Sequence, residues 1–237
     1  MRIILASGSP RRFDLLTQMG WQAEVHSLPF AEAESISDAK IQLQYLQKQI
    51  VFSGESSADI KQDISSPLTS SLFEAKDFVL LSPYQNADLV CGYNALGKGK
   101  AAAAVVGTQL PVIAADTIVV LADRILGKPA DTEEAKRMLR MLSGRAHQVK
   151  TAVALLYKDK TFLQVVSTTV HFRTLTEKEI DWYAGTGEPL DKAGAYGIQG
   201  KGAVLVEKIE GSYDNVVGLP LATVYEMLLR CGAEEAT

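Results

Sequence analysis

Six consecutive residues, Ser7-Gly8-Ser9-Pro10-Arg11-Arg12, bring two hydroxyls and two guanidiniums together directly after the apolar run Ile3-Ile4-Leu5. Ile3 to Leu5 reads as a short buried strand. Ser9 has the chemistry of an N-cap, and Pro10 suits the first helical position. Leu15, Leu16 and Met19 then recur at helical spacing, and Gly20 supplies the stop. A helix N-terminus offers free N–H donors and a positive dipole end, which suits a polyanion such as a phosphate chain. Two arginines add planar forks matched to phosphoryl oxygens. The competing reading is a capped surface helix with solvated arginines. Basic residues in a first turn oppose the macrodipole, where a purely structural helix would favour acids, and on the physics alone the two readings stand level.

Asp116 is the second chemical candidate, because it interrupts the apolar stretch from Pro111 to Leu121. An ionised carboxylate there needs a partner or a metal, or its pKa must rise. Its purely structural role would be that of a hydrogen-bonded turn or bulge residue. Gly127-Lys128-Pro129 follows the same hairpin and can bring Lys128 back beside Asp116. A third cluster runs from Gly187 to Gly200, where the glycines permit close backbone approach and Asp191, Lys192 and Gln199 supply polar readout. It has no GxxxxGK[ST] register. Gly97 and Gly99 lack the preceding strand that a dinucleotide fingerprint requires. The three histidines, His26, His147 and His171, do not pair at metal-ligand spacing, so a zinc site or a serine triad lacks support.

The elements that must position these residues interleave strands and helices. Trp21 to Leu28 reads as a strand, 38–52 as a Gln-rich amphipathic helix, and 53–71 as a serine-rich loop. Ala95 to Val106 reads as a helix. Pro111 to Leu121 and Ile125-Leu126 form a hairpin around Ala122-Asp123-Arg124. Asp131 with Glu134 caps a helix through Leu142, and 147–157 and 161–174 pair across Lys158-Asp159-Lys160. Thr176 with Glu179 caps a helix through Tyr183, Ala203 to Ile209 is a strand, and Pro220 to Leu229 is a last helix closed by Gly232. The adjacent strand pairs imply antiparallel neighbours, so the expected architecture is α/β with a mixed twisted sheet flanked by helices.

At 237 residues the chain has ample material for a core and could be one large domain or two lobes sharing a sheet. With 47% hydrophobic and 22% charged residues its composition is that of a globular protein. A net charge of -4 argues against nucleic acid as a partner. No apolar run reaches the roughly 18 residues of a membrane helix, and two cysteines without CxxC spacing fit a reduced, cytoplasmic setting.

Taken together, Leu5 to Arg12, Ala115 to Val119, Ile125 to Pro129, Met141 to Arg145 and Gly187 to Gly200 resemble the Maf family of nucleoside triphosphate pyrophosphatases. The resemblance covers roughly 1–34 and 95–230, and the Asp191 to Gln199 word is similar to the branch acting on dTTP and UTP. It implies a single domain of two lobes around a central cleft, like that of inosine triphosphatases, a homodimer, and hydrolysis between the α and β phosphates to a monophosphate and pyrophosphate. Carried over by position, Ser7, Arg11, Arg12, Thr117, Lys128 and Lys192 would bind substrate and Gln199 would help read the base. Asp116 would activate water, directly or through Mg²⁺ or Mn²⁺, and Glu34 would share that metal. The family's Leu-Ala-x-x-Lys-Ala word is split here, leaving either Lys98 or Lys100 as a phosphate contact. The stretch of about 35–93 is longer than is usual for the family and reads as an insertion. The rival functions are a nucleotide-binding regulator of division that does not hydrolyse, and an enzyme of the 7-methyl-GTP branch.

Overall fold

The structure is a computed structural model that describes residues 1–35, 37–39, 78–80 and 87–233. The helix expected over 38–52 and the serine-rich loop over 53–71 lie essentially outside these residues, as does most of the insertion.

The chain opens with β1 (Arg2–Leu5), α1 (Pro10–Gln18) and β2 (Gln22–Val25), followed by the short strand β3 (Phe78–Leu80). Helix α2 (Asp88–Val106) leads into β4 (Val112–Leu121), which turns back as β5 (Arg124–Leu126). Then come α3 (Thr132–Leu142), β6 (Ala146–Tyr157), β7 (Lys160–Phe172) and α4 (Glu177–Ala184). Three 3₁₀ turns over Glu188–Asp191, Ala193–Ala195 and Gly200–Leu205 precede β8 (Val206–Glu210), α5 (Tyr213–Val217) and α6 (Leu221–Cys231).

The described strands form one eight-stranded mixed sheet in the order β2-β1-β4-β6-β7-β3, with β5 added to β4 and β8 to β7. β1 lies parallel to β2 and β4, whereas β4, β6 and β7 are mutually antiparallel. Because β6 occupies one edge of β4 along nearly its whole length, β1 and β5 must share the other. β1 takes Val112 and Ile113, and β5 takes Val119 to Leu121. The sheet therefore forks, and the edge of β4 between those two contacts pairs with no described strand.

Side chains alternate across the sheet, and each face builds its own core. On one face, Ala114, Ile118, Ala152 and Ala154 pack under Leu89, Cys91, Tyr93 and Leu96 of α2. Gly97 and Gly99 let this helix sit close: a Cβ on Gly99 would lie 2.7 Å from Leu156, and one on Gly97 would lie inside the Phe30 ring. They are packing glycines, in line with the rejected dinucleotide fingerprint. On the other face, α1 and α6 cover Ile113, Ala115 and Val153, while α3 and α4 cover Val119, Val149 and Phe172. Burying Leu15 and Leu16 contributes about 1.5–3 kcal/mol each, which docks a helix too short to be stable alone.

Most expected elements are present, with instructive shifts. Ser9 occupies the N-cap position of α1 but makes no side-chain cap; the Ser7 hydroxyl instead accepts from the Ser9 N–H at 3.3 Å. Helix α2 begins at Asp88 rather than Ala95, because its first turns are buried. The strand expected from Trp21 to Leu28 is shorter, and that expected from Ala203 begins at Val206, after a 3₁₀ turn. Helix α5 was not foreseen. The capping box of Thr176 and Glu179 is complete, and those bonds with that from Arg173 hold the Glu179 carboxyl down to about 2. Among the described residues no helix is long and apolar enough to cross a membrane, and both cysteines are free and buried.

Candidate active site

The fork in the sheet carries the candidate residues. Asp116 and Thr117 lie on the stretch of β4 between the β1 and β5 contacts, and as strand neighbours they point to opposite faces. The acid faces α2 and the hydroxyl faces α1. Above them, the turn from Ser7 to Arg12 leaves the carboxyl end of β1, where open parallel sheets place their ligands. A cavity of about 330 Å³ opens there. Its lining includes Ser7, Arg11, Arg12, Phe30, Glu32, Lys98, Lys128 and Asp191, so four cations face two acids.

Asp116 is nearly buried, with 8% of its surface exposed, and both oxygens are engaged. Lys98 donates to Oδ1 at 2.7 Å, and the Asn94 amide donates to Oδ2 at 3.2 Å. Burial pushes the carboxyl above its ordinary range, against the opposing pull of Lys98 and Arg12. Asn94 also clips the segment after β2: its Oδ1 accepts from the Ala33 N–H at 2.8 Å, and its Nδ2 donates to the Ala33 carbonyl at 3.0 Å. That clip fixes which end of the amide faces Asp116. Beside it, Glu32 accepts from the same Lys98 ammonium at 3.0 Å.

On the other face Arg12 is held by neutral acceptors. Its Nε donates to the Gly218 carbonyl at 2.8 Å, Nη1 to Ser7 Oγ at 2.9 Å and Nη2 to Thr117 Oγ1 at 3.1 Å. Burial lowers its pKa, but a guanidinium stays charged in proteins. A largely buried cation bonded to oxygens without charge favours an anionic ligand. Arg11 is different: it reaches across the cleft mouth to Asp191 at 3.4 Å, and Asp191 in turn accepts from Lys192 at 2.6 Å.

The structure thus lines one cleft with Ser7, Arg11, Arg12, Lys98 and Lys128, and Asp116 and Thr117 adjoin it through their bonds to Lys98 and Arg12. Lys100 is exposed and lies outside the lining, because two residues along a helix is a turn of about 200°. Lys192 does not line the cavity; its ammonium is bonded to the Glu188 carbonyl at 2.7 Å and to Asp191. Gln199 and Glu34 are exposed and outside the lining. Glu32, Asn94 and Phe30 were missed by sequence reasoning. For Asn94 the signal was present: it precedes Lys98 by four residues, one helical turn on the same face. For Glu32 nothing in the Glu32-Ala33-Glu34 word favours one acid over the other.

His147 and Tyr196 belong to a neighbouring buried cluster. Nε2 of His147 lies 2.8 Å from the Tyr196 hydroxyl, and both rings pack edge-on against Phe172. Burial pushes His147 down to about 4 and drives the Tyr196 hydroxyl up. The histidine is structural, as its strand setting suggested, and it anchors the Gly187–Gly200 segment. Glu188 anchors it as well, accepting from Tyr183 at 3.0 Å and from the N–H groups of Lys201 and Gly202.

Comparison with known proteins gives a concordant picture. The family model for Maf-like proteins matches residues 2–231. A dTTP/UTP pyrophosphatase of Salmonella typhimurium (strain LT2) is 41% identical over 226 residues, covering 95% of this chain and 91% of the relative. One from Dictyoglomus thermophilum is 38% identical over 232 residues, covering 97% and 96%. One from Bacillus cereus (strain AH187) is 40% identical over 227 residues, covering 96% and 94%. Among solved structures, a Staphylococcus aureus Ham1 protein overlaps 73% of this chain and 72% of its own, with a TM-score of 0.35 and 12% identity.

Proposed function

The chain belongs to the Maf-like protein family, and on that premise we propose that it is a nucleoside triphosphate pyrophosphatase acting on dTTP and UTP. The reaction cleaves between the α and β phosphates, giving a nucleoside monophosphate and pyrophosphate. One observation carries the reading: a nearly buried acid is bonded to Lys98, one of four cations that line the cleft against two acids. Cations alone would suffice for a sensor that only binds nucleotide. A desolvated carboxylate among them adds a proton acceptor, which hydrolysis needs.

In this reading the triphosphate lies across Ser7, Arg11, Arg12 and Lys128, whose N–H and O–H donors face the phosphoryl oxygens. Water attacks at the α–β linkage, its proton passes to Asp116, and the bridging P–O bond breaks to release pyrophosphate. Asn94 keeps Oδ2 of Asp116 turned inward, and Lys98 holds Oδ1 at the cleft. Arg12 grips the phosphate chain alike in the bound substrate and in the departing pyrophosphate.

The residues present fit Mg²⁺ or Mn²⁺. Glu32 and Asp116 both approach one ammonium, and such paired carboxylate oxygens are the hard donors these ions take alongside phosphate. Such an ion supplies further neutralisation of the leaving group. Glu32 is the better placed partner for it, since Glu34 lies outside the cavity lining.

The test is pyrophosphate release from a panel of dTTP, UTP, dCTP, dATP, GTP and 7-methyl-GTP with Mg²⁺ or Mn²⁺. The expected result is turnover of dTTP and UTP above the others. No turnover of any triphosphate refutes the enzyme, and a preference for 7-methyl-GTP refutes the branch.

A further inference from the structure

On the face of the sheet that carries Arg12, a row of polar residues separates the two apolar cores. Along β4, Ala115 packs in one core and Val119 in the other, with Thr117 between them. Along β6, Val153 and Val149 flank Thr151 in the same way, and Thr117 and Thr151 are direct cross-strand partners. Thr151 and Asn215 are fully buried. Polar groups in the middle of an apolar face are costly unless they are satisfied and serve some end.

Counting donors gives the row a direction. Thr151 has one hydroxyl hydrogen, and it is spent on the main-chain carbonyl of Asn215 at 3.0 Å. In the 3.0 Å contact between Thr117 and Thr151, Thr117 must therefore be the donor. That leaves Thr117 Oγ1 as an acceptor toward Arg12 Nη2. The chain runs one way, from the guanidinium through two hydroxyls to a carbonyl of α5. The residue after α5, Gly218, grips the same guanidinium through Nε. Gly218 has φ +126°, and a Cβ there would lie 3.4 Å from Thr117 Oγ1 and 3.6 Å from Arg12 Nε. On the cleft side Ser7 Oγ already accepts from Arg12 and from the Ser9 N–H, so its own hydrogen is free for a phosphoryl oxygen.

We infer that Thr151 and the Asn215 carbonyl are positioning residues for phosphate binding: through Thr117 they fix the plane of the Arg12 guanidinium and keep its two uncommitted N–H donors turned to the cleft. Thr117 then serves the substrate through Arg12, because its hydrogen points away from the phosphates. The inference rests on the cleft being the triphosphate site.

Thr151→Val removes the hydroxyl at nearly constant volume. The expected result is a rise in KM for dTTP of about ten-fold, equivalent to about 1.4 kcal/mol, with kcat changed by less than about three-fold. The dissociation constant for inorganic pyrophosphate, measured by calorimetry, rises in parallel. Thr151→Ser restores both. Unchanged KM and unchanged pyrophosphate affinity in Thr151→Val overturn the inference, as does a loss confined to kcat or one that Thr151→Ser fails to rescue. Should Thr151→Val not fold, Thr117→Val at the cleft edge must show the same weakened pyrophosphate binding, and wild-type affinity there overturns it. A wild-type protein that hydrolyses no triphosphate defeats the functional reading alone, since the pyrophosphate titration still reads the relay.

Discussion

Asp116→Asn keeps the shape of the side chain and removes one charge at the point where two donors converge on it. Lys98 donates to one oxygen at 2.7 Å and Asn94 to the other at 3.2 Å. An amide in that place must turn its NH₂ toward one of these two donors. It cannot escape by flipping Asn94, whose Oδ1 is held by the Ala33 N–H. One hydrogen bond is lost and two donors are opposed, which costs about 1–3 kcal/mol. The desolvation that raises the Asp116 carboxyl disappears with the charge and offsets this. Folding stability, read from a urea midpoint, should therefore move by no more than about 2 kcal/mol. Turnover should behave differently. Loss of a general base costs roughly 10²- to 10⁴-fold, about 3 to 5 kcal/mol of barrier. Pyrophosphate release from dTTP measures the rate, and calorimetry with dTTP measures binding, which should hold or tighten as a negative charge leaves the cleft. Turnover within ten-fold of wild type, in a folded variant that binds dTTP, would refute the assignment of Asp116 as base.

Two further outcomes follow from the same geometry. Lys98→Ala leaves Asp116 and Glu32 without the ammonium between them and should lower kcat/KM for dTTP by at least about ten-fold, whereas Lys100→Ala should stay close to wild type; equal effects would refute the choice between the two lysines. His147 sits near 4 in the folded protein against an ordinary 6.5, so the unfolded chain takes up its proton first as pH falls. The folded state keeps full stability above pH 6.5 and loses it progressively down to about 4, by about 2 kcal/mol between pH 7 and pH 5. Urea unfolding at both pH values should show that loss reduced in His147→Gln, and an identical pH dependence in the two proteins would refute it.

What the sequence disclosed depended on whether a residue's partner was near it in the chain. The cap at Asp131 and the box at Thr176 use partners three residues away, and both formed as the spacing required. The apolar run around Asp116 announced a buried strand and an acid in need of company. The company itself could not be read: Asn94 and Lys98 arrive from an earlier helix, and Arg12 is 105 residues from Thr117. Positions 98 and 100 cannot share a helix face, and the structure turns Lys98 to Asp116 and the cleft and leaves Lys100 outside its lining. Helix α5 escaped notice because its five residues carry no periodic signal. Its role emerged only from the carbonyls it offers to Thr151 and Arg12. Ser9 looked like a cap by type, yet the helix start is held by Ser7, whose hydroxyl also serves the arginine.

Three strands, β4, β6 and β7, run as an unbroken beam from one end of the sheet to the other, with β6 in register against β4 from Val112 to Val120 and against β7 from Ala146 to Tyr157. A jaw needs a hinge, and a hinge here would have to break that ladder of hydrogen bonds. The gape of the cleft is accordingly set by where β1 and β5 attach to β4. The Arg11–Asp191 contact across the mouth stands outside that ladder. The three strands make a fixed frame, and the Arg11–Asp191 ion pair is a contact that can part without breaking a single hydrogen bond of that frame.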